Sequence, residues 1–329
     1  MYLHLDFRDL KSGERMETGV VQPPDNEWSE QLKSFLSHKG SEWKEEIELA
    51  FRGELDDLES RFYVGRIGNQ VICQIMLTGS RGAGIVSHVF TRPEQRQKGA
   101  ISALMNTMME HCRSIRFQVI TLGTGFDSAA YWIYHKFGFR SVRPGSGEMI
   151  WVSDDEKLAN LFSPSQVHLR PVQWEDWAYF NLLALQPVNP EEDLPRSKIM
   201  GLKGQGSLEG PFIKLQIRRG KEPELHAFAI VNEADITVGW AIMGQDPSWF
   251  RDVWILDLHI HRLYKNNLTK LVSELPLPKG MIVSYLLHDD SPKAKSLERS
   301  GFLLKGRLPG WLEHSGRHEL LVMMRDNTT

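Results

Sequence analysis

Short apolar runs separated by glycine and polar residues predict strands in the first half of the chain. Residues 61–67 and 71–77 are two such runs, and the Gly68-Asn69 pair between them is typical of the tight turn of a β-hairpin. A further run at residues 85–91 predicts a third strand. These three runs are therefore expected to be consecutive strands of a sheet.

The spacing of apolar residues changes to that of a helix after Pro93. Apolar side chains then recur three and four positions apart, at Ile101, Leu104, Met105, Met108 and Met109. This spacing places them on one face, so we predict an amphipathic helix that ends near Cys112. The remaining runs predict a strand, a helix and two closing strands, at residues 117–122, 129–137, 139–142 and 149–152. The first half is thus predicted to be a mixed α/β sheet.

The second half of the chain repeats this pattern. Two pairs of segments align, 61–76 with 227–243 and 117–139 with 281–302. The second pair ends in Gly-Phe both times, at Gly138 and Gly301. We therefore predict two domains of the same fold at residues 1–153 and 167–329, joined by a linker at 154–166. Chance similarity of two α/β domains is the alternative.

Composition adds the broad class of protein. The chain has 329 residues, 41% hydrophobic and 25% charged, which are ordinary values for globular domains. Its net charge of -3 offers no basic surface for nucleic acid or an anionic membrane, and no stretch is apolar for long enough to span a bilayer. With Cys73 and Cys112 as its only cysteines and no N-terminal export signal, we expect a cytoplasmic protein without a disulfide framework.

The strand at 85–91, the loop at 92–98 and the helix that starts at Gly99 form a unit suited to binding an anion. A glycine allows close approach of the backbone, and the unpaired N–H groups and dipole of a helix start favour a phosphate. Arg96 and Lys98 add full positive charges. Taken alone the pattern is weak, because basic residues before a helix more often form a solvated loop.

The sequence around this loop resembles that of GNAT acyltransferases. Residues 91–104, TRPEQRQKGAISAL, are similar to the acyl-CoA pyrophosphate loop of that family, usually R/Q-x-x-G-x-G/A after a strand. Residues 130–139, AYWIYHKFGF, are similar to the family's A-x-x-x-Y-x-x-x-G-F signature. The resemblance covers residues 61–152 well. It implies an α/β (α+β) fold of two tandem GNAT-like domains, each a mixed, mostly antiparallel sheet flanked by helices.

The resemblance also implies that acetyl-CoA is a co-substrate and indicates which positions contact it. The matching residues are Val89, Phe90, Thr91, Arg96, Gln97, Lys98, Gly99, Ala100, Ile101, Ser102 and Asp127. Three positions depart from the family pattern. Ile101 stands where Gly or Ala is usual, and Asp127 stands where many members have Asn. Ile85 stands where some members carry a catalytic Glu, which excludes a carboxylate base at that position.

Tyr134 is the candidate general acid. It matches the family's tyrosine facing the thioester sulfur, and a phenol of pKa about 10 can protonate a thiolate whose conjugate pKa is about 8.5. In the repeat, Leu297 takes its place four residues before the glycine, so the fold does not require a hydroxyl there. The competing interpretation is that Tyr134 fills the core. The backbone N–H groups of Val89 and Thr91 match those that bind the acyl carbonyl and pantetheine in relatives.

The general base is left open by the sequence. His88 can titrate near neutrality, but strict alternation would place it on the opposite sheet face from Ile85, Ser87, Val89 and Thr91, so a packed histidine is the competing interpretation. Ser87 would then face the substrate side, where it could act only by relaying a proton through water. An acceptor with a low pKa would need no strong base.

The second half lacks the residues that suggest chemistry in the first. Its matching loop, residues 261–268, has no glycine at the helix start. His259 and His261 lack a third ligand at metal spacing, so no metal site is predicted. The second half is thus expected to be a degenerate domain of the same family.

These observations predict an N-acyltransferase that moves acetyl from acetyl-CoA to an amine by direct attack in a ternary complex. The alternative is a non-catalytic acyl-CoA-binding or regulatory module. The expected partner is a small-molecule or peptide amine, with no nucleic acid or membrane partner. The acceptor itself is not encoded in a readable motif. Either a monomer with pseudo-dimeric domains or a homodimer is compatible with the sequence.

Overall fold

A computed structural model describes residues 1–186, 197–202, 206–246, 252–287, 291–313 and 317–328. Contacts along the chain separate two compact units, Met1–Leu158 and Ala159–Thr329. Each unit contains one sheet of its own.

The first unit is an eight-stranded sheet flanked by helices. Its strands are β1 Tyr2–Asp9, β2 Arg15–Val21, β3 Glu59–Ile67, β4 Gln70–Ser80, β5 Ala83–Thr91, β6 Val119–Gly123, β7 Arg140–Ser141 and β8 Glu148–Val152. Its helices are α1 Asn26–Phe35, α2 Ser41–Arg52, α3 Ala100–Ser114 and α4 Ala129–Lys136, and helix α5 Asp155–Leu161 spans the boundary between the units. The strand order is β1-β2-β3-β4-β5-β6-β8-β7, in which only β5 and β6 pair in parallel.

Helices cover the two faces of this sheet with separate apolar cores. On one face, α3 buries the side chains that its spacing predicted, Leu104, Met105, Met108 and Met109. On the other face, α1 and α2 pack on residues of β3 and β4, and Phe51 stacks on Phe62 with ring centroids 4.9 Å apart. The amphipathic helix and the strands around it are thus as the sequence predicts.

The second unit is a seven-stranded sheet. Its strands are β9 Val167–Pro171, β10 His226–Asn232, β11 Thr237–Gln245, β12 Val253–Ile260, β13 Met281–Leu287, β14 Leu303–Glu313 and β15 Arg317–Asp326. Its helices are α6 Trp177–Leu185, α7 Glu209–Arg219, α8 Leu268–Glu274 and α9 Ser291–Arg299. The order β9-β10-β11-β12-β13-β15-β14 reproduces that of the first sheet from β2 onward, including one parallel pair, β12 with β13.

The two glycines that anchor the internal alignment have the same structural role. Gly138 follows α4 with φ of 96°, and Gly301 follows α9 with φ of 85°. In both units the next residue donates its N–H back into the helix, from Phe139 to Tyr134 and from Phe302 to Leu297. The predicted duplication of the fold is confirmed by this shared topology and by these matching helix ends.

Two features of the fold were not specified by the sequence patterns. The segment at 154–166 expected to be a linker contains the helix α5, and Phe162 beside it is buried. The second feature is the set of elements before β3: strands β1 and β2, which extend the sheet at one edge, and helices α1 and α2. Within the described residues, no helix is both long and apolar enough to cross a membrane.

Candidate active site

The two parallel strands of the first unit separate partway along their length. β5 pairs with β6 at three positions, the last of which joins Ile85 to Thr121. Beyond Ile85, β5 continues to Thr91 beside β4 only. The N–H of Arg92 donates to the carbonyl of Ile72 in β4 at 2.9 Å. Since successive amides of a strand point to opposite sides, the N–H of Thr91 points toward the gap between the strands.

A β-bulge at His88 changes which side chains share a face of the sheet. Met76 pairs with Ser87 and Gln74 pairs with Phe90, so β5 has one residue more than β4 across this interval. His88 adopts a φ of 50° at the bulge. The alternation assumed from the sequence was therefore wrong: Val89 packs with the core beneath α3, whereas Phe90 packs with the core beneath α1 and α2.

The loop after β5 places the start of α3 at the open end of the gap. Gln97 and Gly99 have φ of 64° and 87°, and Gly99 is the N-cap of α3. A left-handed conformation at a helix start suits glycine because it has no Cβ. The side chain of Lys11 lies beside Gly99, 3.6 Å from where a Cβ would stand. The N–H of Lys11 also donates to the carbonyl of Lys98 at 3.0 Å.

A cavity of about 630 Å³ lies between the end of β5, the loop, the first turn of α3 and α4. Most of the residues predicted to contact the cofactor line it. These are Val89, Phe90, Thr91, Arg96, Gln97, Gly99, Ala100, Ile101 and Ser102. Tyr134 lines it from α4, together with Ala129, Ala130 and Ile133. Lys11 also lines it and was missed, since no motif marks it in the sequence.

Two of the predicted cofactor residues lie outside this lining. The ammonium of Lys98 is 3.2 Å from a carboxylate oxygen of Glu14 and 3.0 Å from the side-chain oxygen of Gln95, so its charge is directed to its neighbours. The carboxylate of Asp127 accepts a hydrogen bond from the indole N–H of Trp132 at 2.8 Å. Exposed side chains at Asp127 and Trp132 thus pair with each other outside the cavity.

Tyr134 is positioned by a capped helix. The Ser128 side chain accepts a hydrogen bond from the N–H of Tyr131 at 3.1 Å and begins α4. Tyr134 is buried, and its ring packs edge-on to Phe139. Tyr131, one helical turn earlier, directs its hydroxyl to Ser141 at 3.0 Å. The two tyrosines of α4 therefore have different surroundings, and only Tyr134 lines the cavity.

Ser87 and His88 lie on the face beneath α2 and not in the cavity lining. His88 Nε2 is 3.1 Å from a carboxylate oxygen of Glu46 on α2, and both side chains are buried. The edge of Trp43 contacts the His88 ring with centroids 5.1 Å apart. Glu46 was missed by the sequence analysis. The sequence feature that could have revealed Glu46 is its place four residues before Ala50, which puts a carboxylate on the apolar face of an amphipathic helix.

Neither cysteine is suited to act as a nucleophile. Cys73 and Cys112 are fully buried, and burial raises the pKa of each thiol to about 12. A thiol with such a pKa stays protonated near neutrality.

The second unit has the gap between strands but a different loop. β12 and β13 also pair at three positions and then separate. The residues that follow, Arg262–Asn267, form a 3-10 helix that leads directly into α8, without the left-handed residues found in the first unit. Leu297 occupies the place of Tyr134 and is fully buried.

Comparison with known proteins gives a family match within the first unit. Residues 26–139 match the model of the acetyltransferase (GNAT) family. A comparison with curated proteins finds no match.

Three solved structures each match about half of the chain. A GNAT-family acetyltransferase from Streptococcus pneumoniae is 12% identical, with 49% of this chain and 98% of that chain covered and a TM-score of 0.38. A dodecameric spermidine N-acetyltransferase from Vibrio cholerae is 14% identical, with 50% and 95% covered and a TM-score of 0.35. A Salmonella typhimurium protein described as an acetyltransferase, solved with acetyl-CoA, is 13% identical, with 49% and 93% covered and a TM-score of 0.38.

The strand separation, the glycine at the start of α3 and the family match fall on the same segment of the first unit. Residues 26–139 thus match the acetyltransferase (GNAT) family model over the segment that holds this geometry.

Proposed function

We propose that the first unit transfers acetyl from acetyl-CoA to an amine by direct attack within a ternary complex. The observation that carries this proposal is the cavity at the divergence of β5 and β6, which brings the loop, the free edge of β5 and Tyr134 together. The burial of both cysteines supports direct attack, because a covalent acyl-cysteine would need an accessible thiol.

The residues around the cavity fit the parts of acetyl-CoA. The N–H groups at the start of α3, with Arg96 and Lys11, would hold the pyrophosphate. The free N–H of Thr91 would donate to the acyl or pantetheine oxygens, as an oxyanion-binding group does. When the amine attacks the carbonyl carbon, the C–S bond breaks and the sulfur takes a proton from the Tyr134 hydroxyl, while the excess proton of the new amide nitrogen returns to the Tyr134 oxygen.

We assign these roles to the domain predicted at residues 1–153 and none of them to the domain at 167–329. The 3-10 helix at Arg262–Asn267 presents no left-handed glycine at the start of α8. A buried Leu297 supplies no proton. Both differences support the view that the second domain is degenerate.

The pyrophosphate site is tested by Gly99→Glu. A side chain there is strained at φ of 87° and carries a charge that repels phosphate, so acetyl-CoA binding by calorimetry should be lost. Gly145→Glu is the matched control. Gly145 has φ of 74° with open space around it and lies outside the cavity lining, so that variant has the same strain and charge but should bind normally.

Equal affinity in Gly99→Glu and wild type would overturn the assignment of the loop. Turnover is tested separately, by release of free thiol from acetyl-CoA in the presence of an amine panel. Binding without thiol release by any amine would favour the non-catalytic acyl-CoA-binding module.

A further inference from the structure

Several buried polar side chains lie on the sheet face beneath α2. The atoms concerned have no hydrogen-bond partner among the described residues: Glu46 Oε1, Ser60 Oγ, both polar atoms of the Gln74 side chain, Thr78 Oγ1 and Ser87 Oγ. The strand register places the sheet residues on one face, since Ser60 pairs with Thr78 and Met76 pairs with Ser87. Gln74 lies two residues from Met76 on the same strand and so shares that face.

Burying these polar atoms without partners lowers the free energy of unfolding of the chain. A buried donor or acceptor loses its hydrogen bonds to water and, without a partner, is not compensated. The rest of this face carries apolar residues such as Phe62, Val64 and Met76, which pack on α1 and α2. Their side chains have no hydrogen bonds to water that burial would break. Polar groups gathered among them are expected where a polar ligand completes their hydrogen bonds.

The same place holds a buried pair of titratable side chains. Glu46 and His88 meet at 3.1 Å through Nε2, so Nδ1 is the imidazole nitrogen left to take up a proton. His88 is the bulged residue of β5, and the residue after it, Val89, lines the cavity. The bulge thus brings the pair to the position in β5 next to the proposed acyl site.

We propose that this polar face binds the acceptor amine and that His88, held by Glu46, removes the proton that the acceptor ammonium must lose before attack. This inference rests on the proposed function. An N–H bond of the ammonium breaks, its proton passes to Nδ1 of His88, and the freed electron pair forms the bond to the acyl carbon. The carboxylate of Glu46 orients the imidazole and stabilises the imidazolium, so Glu46 is a positioning residue.

The base is tested with two acceptors that differ in their need for it. Hydroxylamine is largely unprotonated at neutral pH, whereas alkylamines with a pKa of about 10 must first lose a proton. The alkylamine is whichever of spermidine, tyramine and phosphinothricin the wild-type chain acetylates fastest. His88→Asn should lower kcat with the alkylamine by about 10²-fold or more, and with hydroxylamine far less. Asparagine tolerates the φ of 50° at this position.

Glu46→Gln should lower the alkylamine rate in the same direction and to a smaller extent. His111→Asn is the matched control, since His111 bonds to Tyr63 at 2.9 Å on the α3 side of the sheet. It should leave both rates unchanged. Acetyl-CoA affinity should be unchanged in all three variants. Equal losses with both acceptors, or a loss below about threefold with the alkylamine, would contradict a role for His88 as base.

A substitution at Gln74 tests the binding face without the base. Gln74→Met removes two unpartnered polar atoms from a fully buried site, so it should raise the thermal unfolding midpoint and also raise the acceptor KM. If Gln74 served the fold, the midpoint would fall instead, and the binding face would be refuted.

A wild-type chain that acetylates no amine would refute the proposed function, and this inference with it. Normal wild-type transfer with unaffected variants would refute this inference alone.

Discussion

Tyr134 and Tyr131 show how one helical turn separates two roles for the same residue type. Both side chains are buried in α4, but Tyr131 bonds to Ser141, while Tyr134 lines the cavity. Burial of both rings means that removing either hydroxyl leaves the packing of the ring in place. A comparison of the two hydroxyls therefore separates chemistry from folding.

Tyr134→Phe is expected to lower kcat by about 10² to 10⁴, the usual contribution of a positioned general acid, with acetyl-CoA affinity unchanged. Steady-state kinetics with the best acceptor of the amine panel measures this. Tyr131→Phe, the matched control, should retain kcat within about threefold. If both variants lose the same activity, or if Tyr134→Phe only lowers the unfolding midpoint, then Tyr134 fills the core and another group protonates the thiolate.

Sequence patterns predicted some site residues and misplaced others for a physical reason. Gly99 and Tyr134 each belong to a local motif around a single helix. Their positions can therefore be predicted from neighbouring residues in the sequence. His88 was assigned to the wrong face because a single bulge shifts every side chain after it. Glu46 and Lys11 meet the site through long-range contacts, from α2 and from the turn after β1, which local periodicity does not record.

At the scale of elements, the loop that follows β5 and the loop that follows β12 differ in backbone conformation. In the first unit, left-handed residues at Gln97 and Gly99 set the start of α3 apart from the strand. In the second, His261 caps a 3-10 helix by accepting the N–H of Leu263 at 3.4 Å. Strands and helices could be predicted from periodicity, but the shapes of these loops depend on the conformation of single residues.

The buried cap at His261 makes the second unit sensitive to acid. Burial, and next the charge of Arg262, lower the pKa of His261 to about 4 in the folded chain. The unfolded chain binds a proton near a pKa of about 6.5, so the stability from neutral His261 is complete above that pH and is lost as the pH falls toward 4.

His261→Asn keeps a capping oxygen and removes this titration. The thermal unfolding midpoint of wild type should therefore fall more than that of the variant between pH 7 and 4.5. Scanning calorimetry at both pH values measures the difference. Parallel falls in the two proteins would show that His261 titrates in the folded state as it does in the unfolded one.

At the scale of the whole chain, two units share a topology, but only one has the loop and tyrosine proposed for acyl transfer. We expect titration calorimetry to give one acetyl-CoA per chain, because the second unit lacks a glycine at the start of α8. Gly99→Glu should reduce this stoichiometry to zero. Two sites per chain in wild type, or one site remaining in Gly99→Glu, would mean that the second unit binds the cofactor after all.

The matching glycines after α4 and α9 allow equivalent positions of the two units to be compared within one chain. Gly138 and Gly301 both hold the left-handed conformation, although the helix before one carries Tyr134 and the helix before the other carries Leu297. What the backbone demands has been kept in both copies, and what a ligand would demand is present in one. Positions that differ between the copies while the surrounding geometry agrees are therefore the natural places to exchange residues when engineering a new acceptor into the first unit or a cofactor site into the second.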